Sequence, residues 1–516
     1  MTLPTRVLAA TLGSLLAFDA LAEAGESSLF DAISERAERT AEAPYSPPDA
    51  ALPKELAELD YDTYRQIRFR PDQAIWRDDD HLFEVQLFHP GFLYDQPVSL
   101  NLVDAQGKVQ HLPFEPSRFR YDDNAAPLVD LTTDDLGYAG FRLHYPLNSG
   151  EYSDEFIVFL GASYFRMVGR DQAYGLSTRG LAIDTAEPQG EEFPAFREFW
   201  LVEPASGASE ITLYALLDSP SLAGAYRFDI RPGRHTEVDT EARLFARKDI
   251  NKLGIAPLTS MFMHGELGNV PVDDYRPRVH DSSGLSMRTG TGEWIWRPLT
   301  NPAKLHVSRL QDESPRGFGL LQRPGEFDAY LDAEARYERR PSQWVEPLGD
   351  WGKGSVELIE IPTDSETNDN ITAYWVPETP LEAGQSRHFR YRLTTLGDRL
   401  PDQQLAHVVR TRQGWGAVPG QDNPPPPRRR QFIVDFQGPA LEGLAADQPL
   451  TPRISVSNGE IIEPHAQQLP DGNTWRISFR LAPKDNLPAD MRLALTLNDQ
   501  VLSETWNLVW YPDERR

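Results

Sequence analysis

The chain has 516 residues, of which 78 are acidic and 51 are basic, so its formal net charge is -27. This length favours two or more domains with room for a large buried site. The acidic balance argues against nucleic acid, whose phosphates need a basic surface, and against an anionic membrane face. An acidic surface is also typical of proteins in salty surroundings, and we favour that interpretation over a specific cationic partner.

The N-terminus has the three parts of a secretory signal peptide. Arg6 precedes an apolar run from Val7 to Phe18, and Ala20-Leu21-Ala22 supplies the small residues of a cleavage site. We therefore assign residues 1–22 to a signal peptide and expect a soluble protein of the periplasm without membrane insertion. An uncleaved N-terminal anchor is the alternative. The chain contains no cysteine, so no disulfide is expected to support the fold.

Beyond the signal, one helix and then many strands are expected. Leu29, Ile33 and Ala37 recur with helical spacing and predict a helix from Ser27 to Ala43. Apolar and polar residues then alternate with period two, which is typical of strands. Clear examples are the segments Leu82 to Phe88, Val98 to Val103, Phe156 to Leu160 and Ile211 to Leu216. The sequence therefore predicts an all-β fold built from antiparallel sandwiches.

A change in composition marks a second boundary near the C-terminus. Residues 398–430 are polar and end in the run Pro424 to Pro427 followed by three arginines, which we interpret as a stiff loop or, alternatively, a recognition segment. Alternating strands resume at Phe432, and their spacing fits an immunoglobulin-like sandwich. We predict a large domain over 23–395, a junction segment over 396–430 and a small sandwich over 431–516.

The absence of several catalytic motifs limits the reactions that the chain is expected to catalyse. There is no cysteine nucleophile, no Gly-x-Ser-x-Gly elbow and no glycine-rich phosphate loop, and the 11 histidines lack the spacing of metal ligands. We therefore expect no metal and no cofactor. Carboxylates remain, and Asp281 and Asp369 stand in polar turns, as a pair of acids for glycoside hydrolysis would. Without other information, each aspartate more often hydrogen-bonds its own turn.

Tryptophans, arginines and carboxylates are dense between Gly284 and Ile371. Aromatic faces stack on pyranose rings, while charged groups hydrogen-bond the hydroxyls, so this composition is typical of carbohydrate binding. The opposing interpretation is that period-two alternation buries about half of the tryptophans in the sandwich core.

Several segments resemble the periplasmic glucan biosynthesis proteins G and D. The resemblance extends from the Tyr64 region to Trp506, in one order along the chain. It is carried by Leu160 to Arg166, Tyr174 to Thr185, Gly190 to Pro194, Ala215 to Pro220, Gly254 to Phe262 and Gly317 to Arg323.

The resemblance implies a fold, a substrate and a site. The large domain would be a galactose-mutarotase-like β-sandwich joined to an immunoglobulin-like one, and the ligand would be β-1,2-linked glucan. D-type members are similar to inverting endo-β-1,2-glucanases. On this basis the acid would be Asp281 and the base Asp369, with Tyr337 relaying a proton between the base and the attacking water.

Other positions are expected to bind the glucan. Tryptophans would stack on sugars and polar groups would hold hydroxyls: Trp294, Trp296, Trp344, Trp351 and Trp375, with Arg179, Arg297, Arg323 and Glu293. In similar proteins a loop near the domain junction closes over the site of a neighbouring subunit. The segment that contains Trp415 is the candidate for such a loop, which would require a homodimer; the alternative is a mobile loop.

Three hypotheses for function follow. The signal peptide is of the ordinary secretory kind, which favours the G type over the D type. The chain is then a β-1,2-glucanase, a non-catalytic glucan-binding factor that assists backbone release or branching, or an enzyme acting on sugar anomers. No nucleotide-binding signature is present, so synthesis of the polymer would belong to a partner, the glucan synthase of the inner membrane.

Overall fold

The computed structural model describes residues 26–48, 52–77, 80–133, 136–268, 273–400, 403–418, 420 and 422–514. The expected signal peptide, residues 1–22, lies outside these ranges. Strands dominate the described residues, so the fold is mainly β, as the alternation predicted. No helix among the described residues is long and apolar enough to cross a membrane.

The helices are few and mostly short. The α-helices are α1 (Glu26–Glu42), α2 (Lys54–Ala57) and α3 (Tyr61–Tyr64). Single turns of 3-10 helix and one longer stretch occur at Pro71–Gln73, Pro116–Arg118, Asp123–Leu131, Phe327–Ala329, Tyr337–Arg339 and Pro439–Leu441.

The strands fall into three groups along the chain. The first group is β1 (Ile67–Phe69), β2 (Glu84–Phe88), β3 (Ser99–Val103), β4 (Val109–His111), β5 (Phe119–Tyr121), β6 (Gly140–Tyr145), β7 (Asp154–Leu160), β8 (Tyr164–Met167), β9 (Ser177–Arg179), β10 (Leu181–Ile183) and β11 (Ala195–Val202). The second is β12 (Ile211–Asp218), β13 (Leu222–Arg231), β14 (Glu237–Ala246), β15 (Leu253–Ser260), β16 (Phe262–His264), β17 (Val279–His280), β18 (Gly284–Arg288), β19 (Trp294–Pro298), β20 (His306–Glu313), β21 (Gly317–Leu321) and β22 (Ser342–Pro347). The third is β23 (Lys353–Glu360), β24 (Ile371–Pro377), β25 (Ser386–Leu396), β26 (His407–Trp415), β27 (Arg430–Gln437), β28 (Thr451–Val456), β29 (Glu460–Gln468), β30 (Trp475–Ala482), β31 (Ala489–Leu497), β32 (Gln500–Val501) and β33 (Thr505–Trp510).

The chain divides into two compact units. The first comprises the described residues within Met1–Asp171, Thr178–Ala256 and Thr379–Thr394, and the second comprises those within Gln172–Ser177, Pro257–Glu378 and Thr395–Arg516. The two-domain division that we drew from composition remains a prediction, as do the mutarotase-like and immunoglobulin-like assignments.

In the first unit, two sheets enclose an aromatic core. Strands β2, β6, β7 and β8 pair antiparallel in that order, and β11 to β14 form a meander with β3 parallel to β11. Phe159 lies between the sheets, with its ring centroid 5.5 Å from those of both Phe199 and Phe228. Large rings on inward-facing positions supply most of the apolar area that holds the layers together.

Helix α1 packs on this unit through the residues that its spacing predicted. Leu29, Ile33 and Ala37 are buried, in one cluster with Trp200 and Tyr214 on the sheet. The predicted helix is thereby confirmed, since its apolar stripe is the face that contacts the strands.

In the second unit, a long sheet runs β22, β21, β18, β19, β33, β31 and β28, and faces a four-stranded sheet of β26, β27, β30 and β29. Phe432, Phe479 and Trp506 meet in the core between them, with Phe479 and Trp506 centroids 6.1 Å apart. Strand β19, which carries Trp294 and Trp296, pairs in parallel with β33. It therefore lies in the same sheet as the C-terminal strands.

The polar stretch expected as a junction contains a regular strand. Strand β26 spans His407–Trp415 and pairs antiparallel with β27. Its sequence alternates weakly because arginines occupy outward positions, which explains why the composition favoured a loop.

Candidate functional site

Asp281 is a buried carboxylate at the end of β17. Its backbone N–H donates to the carbonyl of Met261 at 2.8 Å, and its residue is only 4% exposed. The carboxylate forms an ion pair with the guanidinium of Arg340, which also lies 4.2 Å from the centre of the Tyr337 ring. An opposite charge in contact favours the ionised form of a carboxyl group.

Gly175 gives Arg340 the room to reach this position. A Cβ atom at residue 175 would lie 2.9 Å from the Arg340 Cβ and 3.1 Å from its Cδ. Because contacts this short do not occur, any side chain there would displace the arginine stem. The motif that contains Gly175 therefore contributes to the site by leaving room for the Arg340 side chain.

Tyr337 lies beside the Arg340 guanidinium and bonds to a second carboxylate. Its hydroxyl donates to Glu366 Oε2 at 2.9 Å. Burial raises the pKa of Tyr337, and the bond to Glu366 and the charge of Asp281 raise it further against the opposing effect of Arg340. The phenol therefore stays protonated and remains a hydrogen-bond donor.

Asp369 lies exposed in the turn between β23 and β24. The next residue, Asn370, fixes this turn: its Oδ1 accepts from Phe262 N at 2.8 Å, and its Nδ2 donates to Phe262 O at 3.1 Å. Phe262 is also the bridge partner of His280. Asp281 follows His280 and Asp369 precedes Asn370, and both of these neighbours bond to Phe262. The backbones of the two aspartates are therefore both held near Phe262.

His280 and Gln322 form a buried support beneath these groups. His280 Nδ1 is 2.8 Å from Gln322 Oε1, and Gln322 Nε2 donates to the carbonyls of His280 at 2.7 Å and Tyr337 at 3.2 Å. Burial lowers the pKa of His280 to about 3, so the ring is neutral and its Nδ1 carries the proton that Gln322 accepts. One amide therefore fixes the positions of both neighbouring segments.

Acidic groups near Tyr337 are neutralised by an arginine. Arg276 donates to Glu366 at 2.8 Å, to Asp332 at 3.0 Å and to Asp274 at 2.9 Å. Among the residues that the structure describes, no group of three or more histidines or carboxylates is arranged to hold a metal ion. The carboxylates at this site are arranged around a guanidinium.

Most of the tryptophans expected to bind sugar are buried within the protein. Trp296 is 3% exposed and Trp375 is fully covered, while Trp294 and Trp351 are also buried. Strand β19 is covered on both faces, so alternation along it cannot separate core from surface positions. That these four residues bind sugar remains a prediction. It requires a glucan chain to reach rings that are buried in this structure.

The polar binding candidates have partners within the chain. Arg323 forms a two-pronged pair with Glu504, including a bond of 2.8 Å, and lies over the Trp296 ring. Further pairs join Arg297 to Asn507 at 3.1 Å, Glu293 to Thr505 at 2.6 Å and, in the first unit, Arg179 to Glu191 at 2.6 Å. These contacts give each side chain a structural role within the protein. That the side chains bind glucan remains a prediction.

Two tryptophans offer accessible surface. Trp344 is partly buried and packs on Trp294 at 5.6 Å between centroids. Trp415 is 49% exposed at the end of β26, and its Nε1 donates to the carbonyl of Pro425 at 3.2 Å. Of the tryptophans selected from sequence, these two are not fully buried, and Trp415 is the more exposed.

Several groups of this site were missed by sequence reasoning. Arg340, Glu366 and Gln322 contact the selected residues directly, and Asn370 fixes the turn of Asp369 through its bond to Phe262. A local signal existed for two of them, because Arg340 follows Tyr337 by one turn and Glu366 belongs to the turn of Asp369. Gln322 is far from its partners in sequence, and alternation carries no information about such pairing.

Asp281 and Asp369 are of the residue type that most glycoside hydrolases use as acid and base. Comparison with known proteins gives the family. Residues 29–510 match the family described as "Periplasmic glucan biosynthesis protein, MdoG", and the chain belongs to this family. Its expected periplasmic location is thereby confirmed.

Individual relatives agree with this assignment. The chain is 49% identical over 484 residues to Glucans biosynthesis protein G of Ralstonia nicotianae, covering 93% of this chain and 95% of the relative. Proteins of the same name from Pseudomonas aeruginosa and Vibrio cholerae are 46% identical over 494 residues (94% of this chain, 93% of the relative) and 45% identical over 480 residues (93% and 86%). The resemblance to the G and D proteins that the motifs indicated is thus confirmed, and these relatives are of the G type that the signal peptide favoured.

A solved structure shows only a weak similarity. The GH36 alpha-galactosidase AgaA from Geobacillus stearothermophilus is 8% identical with a TM-score of 0.27, covering 50% of this chain and 39% of that one. A score this low does not relate the two folds.

Proposed function

We propose that this periplasmic protein binds the β-1,2-linked backbone of periplasmic glucan and cleaves it slowly with inversion, using Asp281 and Asp369. The observation that carries the proposal is the buried Asp281 carboxylate, which is paired with Arg340 beside Tyr337. A charged carboxylate under cover is costly unless it is paired, and such groups concentrate at functional sites.

The contacts favour one distribution of roles. The resemblance would make Asp281 the acid, but its pairing with Arg340 suits a base, because a base must be ionised before reaction. Asp281 then takes a proton from water by way of the Tyr337 hydroxyl, and the water oxygen bonds to the anomeric carbon as the glycosidic bond breaks. Asp369 then donates the proton that the leaving oxygen needs.

Tyr337 suits the part of a relay. Its hydroxyl is protonated and bonded to Glu366, three positions before Asp369 in the same turn. A phenol that both donates and accepts can pass a proton between water and a carboxylate that are too far apart for direct transfer. A relay of this kind relaxes the separation normally required of two directly acting acids.

A non-catalytic glucan-binding factor is the second candidate. It is favoured by the same ion pair, since a carboxylate that already accepts from a guanidinium is a weaker base. In this case the protein would hold nascent glucan during release or branching, while a glucan synthase in the inner membrane would make the polymer. Exposed Trp415 would then serve contact with sugar or with a second subunit.

Reducing-end release from linear β-1,2-glucan separates the two candidates. We would compare the parent protein with Asp281→Asn and Asp369→Asn, and use Asp364→Asn, an exposed aspartate of the same turn, as the matched control. Hydrolysis predicts that both site variants lose product formation by at least about a hundredfold, within the usual contribution of an acid or base, while glucan binding and the control stay unchanged. Binding without product in the parent would leave the binding factor.

A further inference from the structure

Aromatic side chains gather on the surface of the first unit, where helix α3 meets the turn that follows β2. The Phe92 ring centroid lies 6.0 Å from that of Tyr61 and 5.9 Å from that of Tyr64. The Tyr64 and Tyr94 centroids are also 5.9 Å apart. Tyr61 is 60% exposed, and the other three rings are half-buried. An exposed aromatic patch on the surface of a protein marks a site of interaction.

The aromatic surface continues onto the outer face of β8. Phe165 and Met167 of this strand are buried in the core, so Tyr164, which alternates with them, faces outward. Tyr94 reaches the turn that leads into β8, because a Cβ atom at Gly161 would lie 3.7 Å from its ring. Gly161 is bonded to the start of the strand, since its carbonyl accepts from Tyr164 N at 2.9 Å. The two groups of rings are therefore neighbours on one surface.

Arg179 connects Tyr164 to a further exposed ring. Its guanidinium lies 4.7 Å from the centre of the Tyr164 ring and 5.5 Å from that of Phe193, which is 53% exposed. Arg179 is also paired with Glu191 at 2.6 Å. We call the whole set of rings the aromatic strip: Tyr61, Tyr64, Phe92, Tyr94, Tyr164 and Phe193.

The turn that carries Phe92 is held in a strained conformation. Phe92 has a φ of 59°, in the left-handed region that a bulky side chain rarely adopts. Its N–H donates to the carbonyl of Leu56 at 3.1 Å, while Gly91 and Tyr94 exchange bonds of 3.0 and 2.9 Å. Strain of this kind persists only where the surrounding structure imposes it, and it concentrates at ligand sites. The rings are thus fixed in advance, so a ligand would order little of the protein on binding.

The chemistry of the aromatic strip suits an uncharged sugar. Flat rings pack on the apolar face of a pyranose. The hydroxyls of Tyr61 and Tyr94 form no hydrogen bond with another described residue, and a phenol can both donate to and accept from a sugar hydroxyl. Because Arg179 is already paired with Glu191, the end of the strip at Phe193 favours a neutral ligand over an anion.

We propose that the aromatic strip binds a stretch of neutral glucan, with pyranose rings stacked on its exposed aromatic faces. That this glucan is β-1,2-linked rests on the proposed function. The first unit would then hold part of the polymer itself, whereas Asp281 and Asp369 belong to the second unit.

Calorimetric titration with a short linear β-1,2-linked glucan tests the proposal. The full protein would be compared with Tyr61→Ala and Phe193→Ala, which remove the exposed rings at the two ends of the strip. Tyr152→Ala, a tyrosine of the same unit that is 58% exposed and lies outside the strip, is the matched control. We expect affinity to fall roughly fivefold in each strip variant, with the control unchanged and melting temperatures confirming that each variant is folded.

The other outcomes separate the strip from the hydrolytic site. Glucan binding that depends on Tyr61 and Phe193, in a protein that releases no reducing ends, would support the strip while the hydrolytic function fails. Release of reducing ends with unchanged affinity in both strip variants would overturn the strip and leave hydrolysis standing. Self-association in sedimentation velocity that Tyr61→Ala abolishes, at unchanged glucan affinity, would show an interface between copies of the chain and would also overturn the proposal.

Discussion

The ion pair between Asp281 and Arg340 is the contact on which the site depends at the scale of single residues. Asp281 is buried and Arg340 is its charged partner, so the pair resists water and holds the carboxylate in one orientation. Removing one member of such a pair leaves an uncompensated buried charge, which costs far more than losing an exposed pair.

Arg340→Met tests this dependence. We expect a loss of about 3 kcal/mol in the free energy of unfolding, because the Asp281 charge stays buried without its partner. Chemical denaturation followed by tryptophan fluorescence would measure it, with Arg339→Met, an exposed neighbour, as the control. Equal stability of the two variants would contradict the assigned role of the pair.

Glu504→Gln separates a structural from a binding role for Arg323. Glu504 is fully buried and also accepts from Val408 N at 2.7 Å, so its neutral replacement should lower the free energy of unfolding by about 3 kcal/mol. Glucan affinity per folded molecule should not change. A weaker affinity at unchanged stability would instead show that Arg323 contacts the sugar; exposed Glu442→Gln serves as control.

At the scale of elements, helix α1 depends on its apolar stripe. Ile33→Ala would leave a cavity against Trp200 and Tyr214, and we expect a loss of about 3 kcal/mol in the stability of the first unit. Thermal unfolding of Ile33→Ala beside exposed Glu38→Ala measures this. A helix that merely rests on the surface would tolerate both changes equally.

The local sequence pattern predicted whether a segment is a helix or a strand. It did not predict which strands pair with each other. The 3.6-residue spacing of Leu29, Ile33 and Ala37 was sufficient for α1. Strand β19 shows the limit: five successive buried residues have no periodicity, because β19 lies inside a sheet that continues into β33. Its tryptophans therefore matched a sugar-binding composition while their positions are those of a core.

The residues of the candidate site could likewise be predicted only in part, because the sequence does not show which side chains meet in the folded protein. Asp281 and Asp369 could be selected as polar turn residues, and the family resemblance added Tyr337. Gln322 could not be selected, because its bonds to His280 and Tyr337 are tertiary contacts. Arg340 stands one turn after Tyr337, but its pairing with Asp281 is also set by packing. Residue type and spacing predict which groups are available, and only packing decides which of them meet.

At the scale of the whole molecule, buried histidines make stability depend on pH. Burial lowers the pKa of His280 to about 3 and that of His89 to about 4. The unfolded chain protonates both near pH 6.5 while the folded chain does not, so stability is complete above that pH and falls as the pH decreases toward 4. We expect about 2 kcal/mol per residue to be lost by pH 5.

Melting temperatures between pH 8 and pH 4.5 would measure this dependence. His89→Gln should remove the contribution of one buried ring and so make the dependence shallower, whereas exposed His465→Gln should leave it unchanged. A profile that stays flat below pH 6.5 would show that the buried rings take up protons without penalty.

The anomer of the first product tests the central claim most directly, namely that Asp281 and Asp369 cleave β-1,2-glucan with water attacking from the opposite face. Proton NMR during the first minutes of reaction would follow the new reducing end before it mutarotates. Inversion at a β-linkage predicts the α-anomer, absent in Asp281→Asn. A β-configured product, or no product from a parent protein that binds the glucan, would contradict the account.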